Sequence, residues 1–337
     1  MKTEILATHN KALFTAAVKR ASELLRAGEV VALPTETVYG LAANALDANA
    51  VAKIFQVKGR PSHNPIIIHV SGNEMAHASV ATWPAVAADL SHAFWPGPLT
   101  LVLPRSKTIP DNVTAGGETV GIRWPSHPFM QAVIRECGFP LAAPSANLSN
   151  QISPTNAQHV RAQLEGKIPL IVDGGQSQVG LESTVLDLTV SPPRILRPGM
   201  IHAGAIAAVC GDVQDQKAVD NAGASALRSP GLLKKHYSPK AKLVVLDWAD
   251  EASLRAQIST HRLPLPAVHI IAHTKIPAGF AAENVSVIPY DAEAFARALY
   301  GELHRCDAAG AGLIVVEAPP DFPAWSAIAD RLRRAAA

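Results

Sequence analysis

The spacing of hydrophobic residues predicts interleaved helices and strands from the start of the chain. Apolar positions recur at helical spacing over residues 10–27, and the pattern stops at Gly28. The uninterrupted apolar run Val30–Leu33 then predicts a buried strand. A second helix is predicted over Asp47–Val57, because the segment begins with a residue type that caps helices and ends before Gly59.

The same alternation continues to about Cys210. Seven further apolar runs are short and bounded by Pro and Gly, as is typical of strands: Ile66–Val70, Leu99–Leu103, Val120–Arg123, Leu141–Ala143, Leu170–Val172, Val185–Leu188 and Arg194–Leu196. Helices are predicted over residues 84–94, 127–137, 155–165 and 202–210. We therefore predict an α/β domain over residues 1–211, with a mixed, twisted, α+β-like sheet and more strands than helices.

Residues 212–240 separate this domain from a second one. The stretch begins polar and patternless and carries helix breakers in Ser229-Pro230-Gly231 and Ser238-Pro239, so we predict a long linker or lid. Beyond it, strands are predicted over Lys242–Leu246, Ala267–Ala272, Val285–Pro289 and Leu313–Val316, and helices over 250–260, 291–307 and Trp325–Arg334. Strands that alternate with helices predict a small parallel α/β domain over residues 241–337.

Composition favours two folded domains without membrane contact. The 337 residues exceed one average domain, and 48% hydrophobic against 17% charged residues can supply buried cores. The chain has no run of about 18 uncharged apolar residues and begins without the apolar core of a signal peptide, so no membrane span is predicted. Cys137, Cys210 and Cys306 are far apart and lack metal-ligand spacing, which favours free thiols in a reducing compartment. We expect a cytoplasmic protein.

The charge distribution says little about partners. Net charge is +2; residues 241–337 hold 9 Lys and Arg against 11 Asp and Glu, and residues 1–240 hold 21 against 17. A mildly basic first domain suits anionic small molecules or a weak RNA contact, and a solvated surface explains it equally well.

Several common catalytic motifs are absent. The chain contains no Gly-x4-Gly-Lys-Ser/Thr phosphate loop, and Gly310-Ala311-Gly312 precedes a predicted strand instead of following one, which is the wrong context for a dinucleotide site. Ser177 lacks the glycine spacing of a nucleophile elbow, and the histidines form no His-Glu-x-x-His pair. Hydrolase and zinc interpretations receive little support, and no metal ligands are predicted.

Polar segments instead recur at the ends of predicted elements: Leu33–Leu41, Lys58–Pro61, Pro144–Asn147 and Leu181–Val185. Lys58 and Arg60 flank Gly59 in what we predict to be an extended turn, whose period would direct both cations at one polyphosphate. The other segments offer hydroxyls and an amide, but no recognisable nucleophile. We expect these segments to build one site.

Each of these residues also has a structural interpretation that the sequence leaves open. Lys58 and Arg60 could form a solvated basic turn, and Thr35 and Thr37 could cap a helix. Likewise, Pro144–Asn147 could be a simple turn, Arg123 a salt-bridge partner and His69 a core histidine. Arg197 could have a structural role, and Glu182-Ser183 could be a capping pair.

Taken in order, the polar segments resemble the YrdC family. The matching segments are Leu33–Leu41, Lys58–Pro65, Phe94–Thr100, Gly121–Arg123, Pro144–Asn147, Ser153–Thr155, Leu181–Val185 and Leu196–Gly199. Ser229-Pro230-Gly231 and His236-Tyr237-Ser238-Pro239, followed by an α/β tail, resemble its two-domain members, the threonylcarbamoyl-AMP synthases. Leu232 stands where methionine is common and Ser238 where alanine is common, and neither departure changes a charge.

The resemblance implies a nucleotide site beside an amino-acid site. ATP would be bound by Lys58, Arg60, Asn64, Ser145, Asn147, Ser153, Arg197 and Tyr237, with Lys58 and Arg60 catalytic and Tyr237 closing over the ligands from the linker. L-threonine would be bound by Thr35, His69, Arg123 and Ser183.

The resemblance also implies a nucleotidyltransferase that makes L-threonylcarbamoyl-AMP from L-threonine, bicarbonate or CO2, and ATP. Pyrophosphate would leave, and downstream tRNA threonylcarbamoyl-transfer enzymes would use the product at tRNA position 37. We expect the carboxylated amine of threonine to attack the α-phosphorus, which explains the missing nucleophile, with Mg²⁺ carried by the ATP phosphates. Arg123 would bind the threonine α-carboxylate as a bidentate fork, and a buried partner for the side-chain hydroxyl would reject valine.

Two other functions remain open at this stage. A non-catalytic RNA-binding module would suit the slightly basic first domain, but only 5% of residues are aromatic and no aromatic-plus-basic stripe is evident. A carbamoyl-transferring relative would need acylphosphatase and zinc-finger portions, which this sequence lacks.

Overall fold

The computed structural model describes residues 2–214 and 237–337. Contacts divide the chain into two compact units, Met1–Ser149 with Ser153–Leu232, and Asn150–Ile152 with Leu233–Ala337. Most of the predicted linker or lid over residues 212–240 lies outside the described residues, so its role stays a prediction.

The described part of the first unit contains one mixed sheet in the strand order β1-β8-β2-β3-β7-β4-β6-β5-β9-β10. Its strands are β1 (Glu4–Ala7), β2 (Val31–Leu33), β3 (Gly40–Asn44), β4 (Ile68–His69), β5 (Leu99–Pro104), β6 (Thr119–Arg123), β7 (Leu141–Ala142), β8 (Leu170–Asp173), β9 (Thr184–Asp187) and β10 (Arg194–Arg197). Its helices are α1 (Lys11–Arg26), α2 (Ala48–Lys58), α3 (Asn73–Ala78), α4 (Ala85–Phe94), α5 (Asp111–Thr114), α6 (Pro128–Cys137), α7 (Ala157–Leu164) and α8 (Ala203–Cys210).

The sheet is buried on both faces. Because successive strand residues point to opposite sides, Val31 and Leu33 of β2 join one apolar cluster, which includes residues of α1 and α6. Val30 and Ala32 join the other cluster, which includes residues of α2. This two-sided burial explains why the strand is an uninterrupted apolar run in the sequence.

The ends of α2 prepare the polar segment that follows it. The side chain of Asp47 accepts hydrogen bonds from the backbone N–H groups of Asn49 and Ala50, which caps the first turn. Gly59 ends the helix in the left-handed conformation, with φ of 59°, which a side chain would disfavour. The predicted extended turn at Gly59 is therefore wrong, because a left-handed helix cap turns the chain there.

The second unit contains a four-stranded sheet in the order β11-β14-β12-β13, and its pairings are all parallel. Its elements are β11 (Lys242–Leu246), α9 (Glu251–Ser259), β12 (Val268–Ala272), β13 (Val285–Val287), α10 (Ala292–Ala308), β14 (Leu313–Glu317) and α11 (Ser326–Ala335), with short 3₁₀ turns at Leu265–Ala267, Ala282–Asn284 and Pro323–Trp325. The small parallel α/β domain is confirmed. Every helix in the described residues falls short of the length and apolar character needed to cross a bilayer.

Each predicted helix and strand is observed within a few residues of its predicted bounds, and the mixed α/β class is confirmed. Four elements were not predicted: β1, β3, α3 and α5. The strand β3 is made of Gly40-Leu41-Ala42-Ala43-Asn44, residues that mostly have little preference for strands. Its conformation comes from pairing with β2 and β7 on either side.

Candidate active site

Lys58 joins two of the predicted polar segments. Its side chain is buried, and its ammonium donates to the backbone carbonyls of Ser145 and Asn147, each across 2.5 Å. Burial, followed by the nearby charge of Arg60, holds the pKa of Lys58 well below its usual value. A buried cation that lacks a carboxylate contact among the described residues is suited to an anionic ligand, whose charge would restore the protonated form.

Arg60 is held by the segment that follows it. Its Nε donates to the carbonyl of Asn64 across 3.1 Å, and its Nη2 donates to the carbonyl of Pro65 across 2.7 Å. Because both acceptors are backbone carbonyls, these contacts orient the guanidinium without neutralising it. Lys58 and Arg60 therefore lie in one buried region, where the charge of an anionic ligand would favour the protonated form of Lys58 beside the guanidinium.

Asn64 carries unmade hydrogen bonds. Its side chain is 1% exposed, and neither its Oδ1 nor its Nδ2 has a partner in the described structure. Buried amides are nearly always satisfied, so an unsatisfied one calls for a ligand or water. Asn64 lies next to the Arg60 contacts, where the sequence predicted ATP binding.

A second polar network lies where β6 ends. The guanidinium of Arg123 donates from Nε to the carbonyl of Gly97 (3.2 Å) and from Nη1 to the hydroxyl of Thr37 (2.9 Å), and its Nη2 lies 2.7 Å from Oε1 of Glu36. The hydroxyl of Thr37 lies 2.9 Å from that of Thr35. The sequence left a salt bridge and a contact with the threonine carboxylate open for Arg123, and the carboxylate contact stays a prediction. The structure pairs Arg123 with the buried acid Glu36.

His69 lies beside this network, because β4 and β6 pair His69 with Arg123 in register. Burial and the positive charge of Arg123 lower the pKa of His69 to about 3, and the charge of Glu36 opposes the shift. The ring is therefore neutral, and its Nδ1 has no partner among the described residues.

Ser183 and Arg197 form a third part of the site. Arg197 donates from Nε to the carbonyl of Ser183 and from Nη2 to its hydroxyl, both across 3.1 Å, and that hydroxyl lies 2.8 Å from Thr100 Oγ1. A β-carbon at Gly199 would clash with the backbone nitrogen of Thr184. The close approach of these two segments therefore requires glycine at position 199.

Ser153 contacts an acid that the sequence left as a capping candidate. Its hydroxyl donates to Oε1 of Glu182 across 2.6 Å, and both side chains are buried. Because Glu182 precedes Ser183, this contact links the predicted nucleotide and amino-acid residues.

Backbone hydrogen bonds tie the separate segments together. Tyr39 donates to the carbonyl of Pro154 and accepts from the N–H of Ala146, each across 2.8 Å. The carbonyls of Glu36 and Thr37 accept from Val179 and Gly180. The convergence of distant polar segments into one region of the first unit is therefore observed.

Tyr237, the remaining predicted residue, belongs to the second unit. Its ring stacks on Tyr300 with centroids 5.9 Å apart, and the guanidinium carbon of Arg331 lies over the Tyr237 ring, 5.2 Å from its centroid. Its predicted ATP contact stays a prediction.

Glu36 is the residue of this buried network that sequence reasoning missed. It lies between Thr35 and Thr37 in a segment already selected, yet it drew no prediction of its own. The available signal was an acid between two polar residues in a segment that follows a fully apolar strand. A charge that close to a buried strand needs a partner, but the sequence does not say which cation supplies it.

Known proteins match almost the whole chain. Residues 23–199 match the profile of the Sua5, YciO and YrdC family, described as telomere recombination, and residues 201–337 match the threonylcarbamoyl-AMP synthase C-terminal domain. The chain is 38% identical to the threonylcarbamoyl-AMP synthase of Pyrococcus abyssi, covering 94% of this chain and 93% of that protein. It is 41% identical to the enzyme of the same name from Bacillus subtilis, covering 95% and 92%.

A solved structure extends the agreement to the fold. The crystal structure of P. abyssi Sua5 complexed with L-threonine superposes with a TM-score of 0.91 at 37% identity, covering 99% of this chain and 98% of that chain. The two profiles match adjoining parts of the chain, and both relatives and this structure cover more than 90% of it. The chain therefore belongs to the Sua5/YrdC family, in its two-domain form.

Proposed function

We propose that this protein catalyses the ATP-dependent formation of L-threonylcarbamoyl-AMP from L-threonine and bicarbonate or CO2. The observation that carries the proposal is the buried pair Lys58 and Arg60, with the Lys58 amine bound to the carbonyls of Ser145 and Asn147 and the Arg60 guanidinium bound to the carbonyls of Asn64 and Pro65. The names of the relatives, and the L-threonine in the P. abyssi structure, support the choice of substrates.

The proposed reaction uses the substrate as its own nucleophile. The nitrogen of threonine forms a bond to the carbon of CO2 and releases a proton, giving an N-carboxylate. An oxygen of that carboxylate forms a bond to the α-phosphorus of ATP while the bond to the β-phosphate oxygen breaks, and pyrophosphate leaves with its electron pair. The protein then has to bring two anions together, since carboxylate and triphosphate repel each other.

Positioning and charge neutralisation are the roles proposed for the protein. Lys58 and Arg60 would offset the negative charge of the triphosphate, and hydrogen-bonding groups at Asn64, Ser145 and Asn147 would orient it. Well-oriented reactants can save on the order of 7–11 kcal/mol of the barrier. Ser153 and Arg197 would extend the nucleotide subsite, and Thr35, His69, Arg123 and Ser183 would line the amino-acid subsite.

Mg²⁺ belongs to the proposal as an ion carried by the phosphates. The described residues contain no group of three or more His, Cys, Asp and Glu side chains that could hold a metal ion. We therefore assign the ion no protein ligands and no step of its own.

The proposed product has a use in tRNA modification. A mixed anhydride of AMP is an activated acyl donor, so a threonylcarbamoyl-transferring enzyme would consume it, at position 37 of tRNA. A non-catalytic RNA-binding module is the alternative, and the desolvated cation pair beside unsatisfied Asn64 favours a small anionic ligand instead.

The decisive experiment follows product formation. Purified protein is incubated with ATP, Mg²⁺, bicarbonate and each of several amino acids, and pyrophosphate and the adenylate are measured by mass. We expect pyrophosphate release and an adenylate of threonylcarbamate mass only with threonine. RNA binding that is unaffected by ATP and threonine, together with no pyrophosphate release, would support the alternative.

A further inference from the structure

We propose that Glu36 is a specificity-determining residue, which turns the Arg123 end of the amino-acid subsite into a neutral site that selects a side-chain hydroxyl. The inference rests on the proposed function only for the identity of the ligand. It names the group that would read the hydroxyl of threonine, and it changes the role expected for Arg123.

The backbone at Glu36 is held in place by contacts on both sides. The carbonyl of Thr35 accepts from the hydroxyl of Ser177 across 2.9 Å, and the carbonyl of Glu36 accepts from the N–H of Val179 across 2.7 Å. The next carbonyl, of Thr37, accepts from Gly180. Because these consecutive carbonyls are each held, the backbone of Thr35, Glu36 and Thr37 has little freedom to move.

Glu36 and Arg123 form a buried pair of opposite charges. Both side chains are buried, at 6% and 4% exposure, and Oε1 of Glu36 also accepts from the N–H of Ser126 across 3.1 Å. Burial alone raises the pKa of Glu36, but the charge of Arg123 and the Ser126 N–H outweigh it and lower that pKa below its usual value. The pair therefore carries one negative and one positive charge, and its net charge is zero.

The hydrogen bonds around Thr35 and Thr37 determine which hydroxyl donates and which accepts. Arg123 donates to the Thr37 hydroxyl, so the proton of that hydroxyl is free to be donated to Thr35 Oγ1. Thr35 Oγ1 also accepts from the N–H of Thr37 and donates to the carbonyl of Val38. These contacts use the hydroxyl of Thr35 fully, since a hydroxyl has one donor and two acceptor sites. Thr35 thus supports the network, and its hydroxyl has no capacity left for a ligand.

Several buried polar atoms of this network have hydrogen-bonding capacity that the described residues do not use. Oε2 of Glu36 has no partner, and the contacts of Arg123 with Gly97, Thr37 and Glu36 use three of the five N–H donors of its guanidinium. Nδ1 of His69 is also open, on a ring that lies near both charges. The open groups are thus one donor group and two acceptors, in the same buried network.

A hydroxyl matches this mixture better than a charged group does. It can accept from Arg123 and donate to Glu36 or His69, and it adds no charge to a neutral pair. A carboxylate would be repelled by Glu36, and an ammonium would be repelled by Arg123. A methyl group would leave the buried polar atoms unpaired, which is why sites built for a hydroxyl reject analogues that lack it.

The test measures binding, so that it does not depend on turnover. Affinities of the full-length protein for threonine, 2-aminobutyrate and aspartate are measured by isothermal titration calorimetry, for the unchanged protein and for Glu36→Gln. The matched control is Glu29→Gln, because Glu29 is a half-exposed acid whose carboxylate pairs with Lys53 on α2. Folding of each variant is checked by circular dichroism.

We expect the unchanged protein and the control to bind threonine about 100-fold more tightly than 2-aminobutyrate, or better. In Glu36→Gln this preference should fall below about tenfold, and the affinity for aspartate relative to threonine should rise at least about tenfold, because Arg123 is no longer neutralised. An unchanged threonine preference in Glu36→Gln, without a gain for aspartate, would overturn the inference, as would a lack of preference in the unchanged protein.

A second variant covers the case in which Glu36→Gln does not fold. Combining Glu36→Gln with Arg123→Met removes both charges, and this protein should lose the threonine preference without gaining affinity for aspartate. A preference equal to that of the unchanged protein would contradict the inference. Threonine selectivity without pyrophosphate release would instead contradict the proposed function and leave this inference standing.

Discussion

The ammonium of Lys58 donates to the backbone carbonyl of Asn147 across 2.5 Å, although 89 positions separate the two residues in the chain. Lys58 ends α2, and Asn147 follows β7. The contact joins the predicted cation segment to the predicted hydroxyl and amide segment. It also holds the Lys58 amine in a buried region, where an incoming phosphate group would meet little competition from water.

Replacement of Lys58 or Arg60 by alanine should abolish threonine-dependent pyrophosphate release. Each change removes a cation from the buried pair, and we expect a loss of about 1,000-fold or more in kcat/KM, as for other preorganised electrostatic groups. The measurement is a coupled pyrophosphate assay. The matched control is Lys53→Ala, on the same helix, whose half-exposed ammonium pairs with Glu29. Normal turnover in both Lys58→Ala and Arg60→Ala would contradict the catalytic assignment.

His69 should make the protein sensitive to mild acid. Its folded-state pKa is about 3, against a usual value of 6.5, so the unfolded chain binds more protons between these two values. Stability therefore falls as pH drops from about 6.5 toward 3, by up to about 5 kcal/mol from this residue. In His69→Gln the free energy of unfolding, measured by urea titration, should fall less steeply over this window. An equal slope in both proteins would show that His69 does not contribute.

Ser153→Ala should weaken the nucleotide side of the site. The change removes the hydroxyl that donates to Glu182 across 2.6 Å, in a buried setting. We expect a loss of about 1–3 kcal/mol in unfolding free energy and a higher KM for ATP, since the carboxylate loses a donor. Urea unfolding and ATP titration provide the two measurements. Ser106→Ala is the control, because the Ser106 hydroxyl contacts Thr108 at an exposed site; equal effects of the two changes would argue against a special role for Ser153.

Glu317 should hold together one end of the sheet in the second unit. Its buried carboxylate accepts from the backbone N–H groups of His273, Thr274 and Lys275, and these contacts help to lower its pKa despite burial. Glu317→Gln should speed hydrogen–deuterium exchange at these three amides by about tenfold or more, since an amide oxygen is the weaker acceptor. Glu283→Gln, at an exposed position, should leave their exchange rates unchanged. Unaltered protection in Glu317→Gln would contradict this role.

Local sequence patterns predicted most helices and strands of the fold. Residues 10–27 and Val30–Leu33 differ in period and in length, and each forms the predicted element, because a helix and a buried strand leave different apolar spacings. The missed strand β3 has no such pattern. It becomes a strand through its neighbours β2 and β7, which are contributed by distant parts of the chain.

The site likewise contains residues that the sequence predicted and one that it did not. Lys58 and Arg60 were selected from segment chemistry and Asn64 from the family resemblance, and the structure buries all three. Glu36 was not selected, because its importance depends on Arg123, and sequence spacing does not reveal which cation a buried acid will meet. For the same reason the sequence left open whether Arg123 forms a salt bridge, and the structure shows that it pairs with Glu36.

The sequence by itself determined the helices and strands with strong apolar periods, the order of two α/β domains, and the polar segments that carry the chemistry. These features depend on interactions between residues close in the chain. Only the tertiary structure decided which segments meet, which buried groups pair, and which polar atoms are left open for a ligand. Burial strengthens charge interactions and makes each unpaired group costly, so the properties of Lys58, His69 and Arg123 come from neighbours that are remote in sequence.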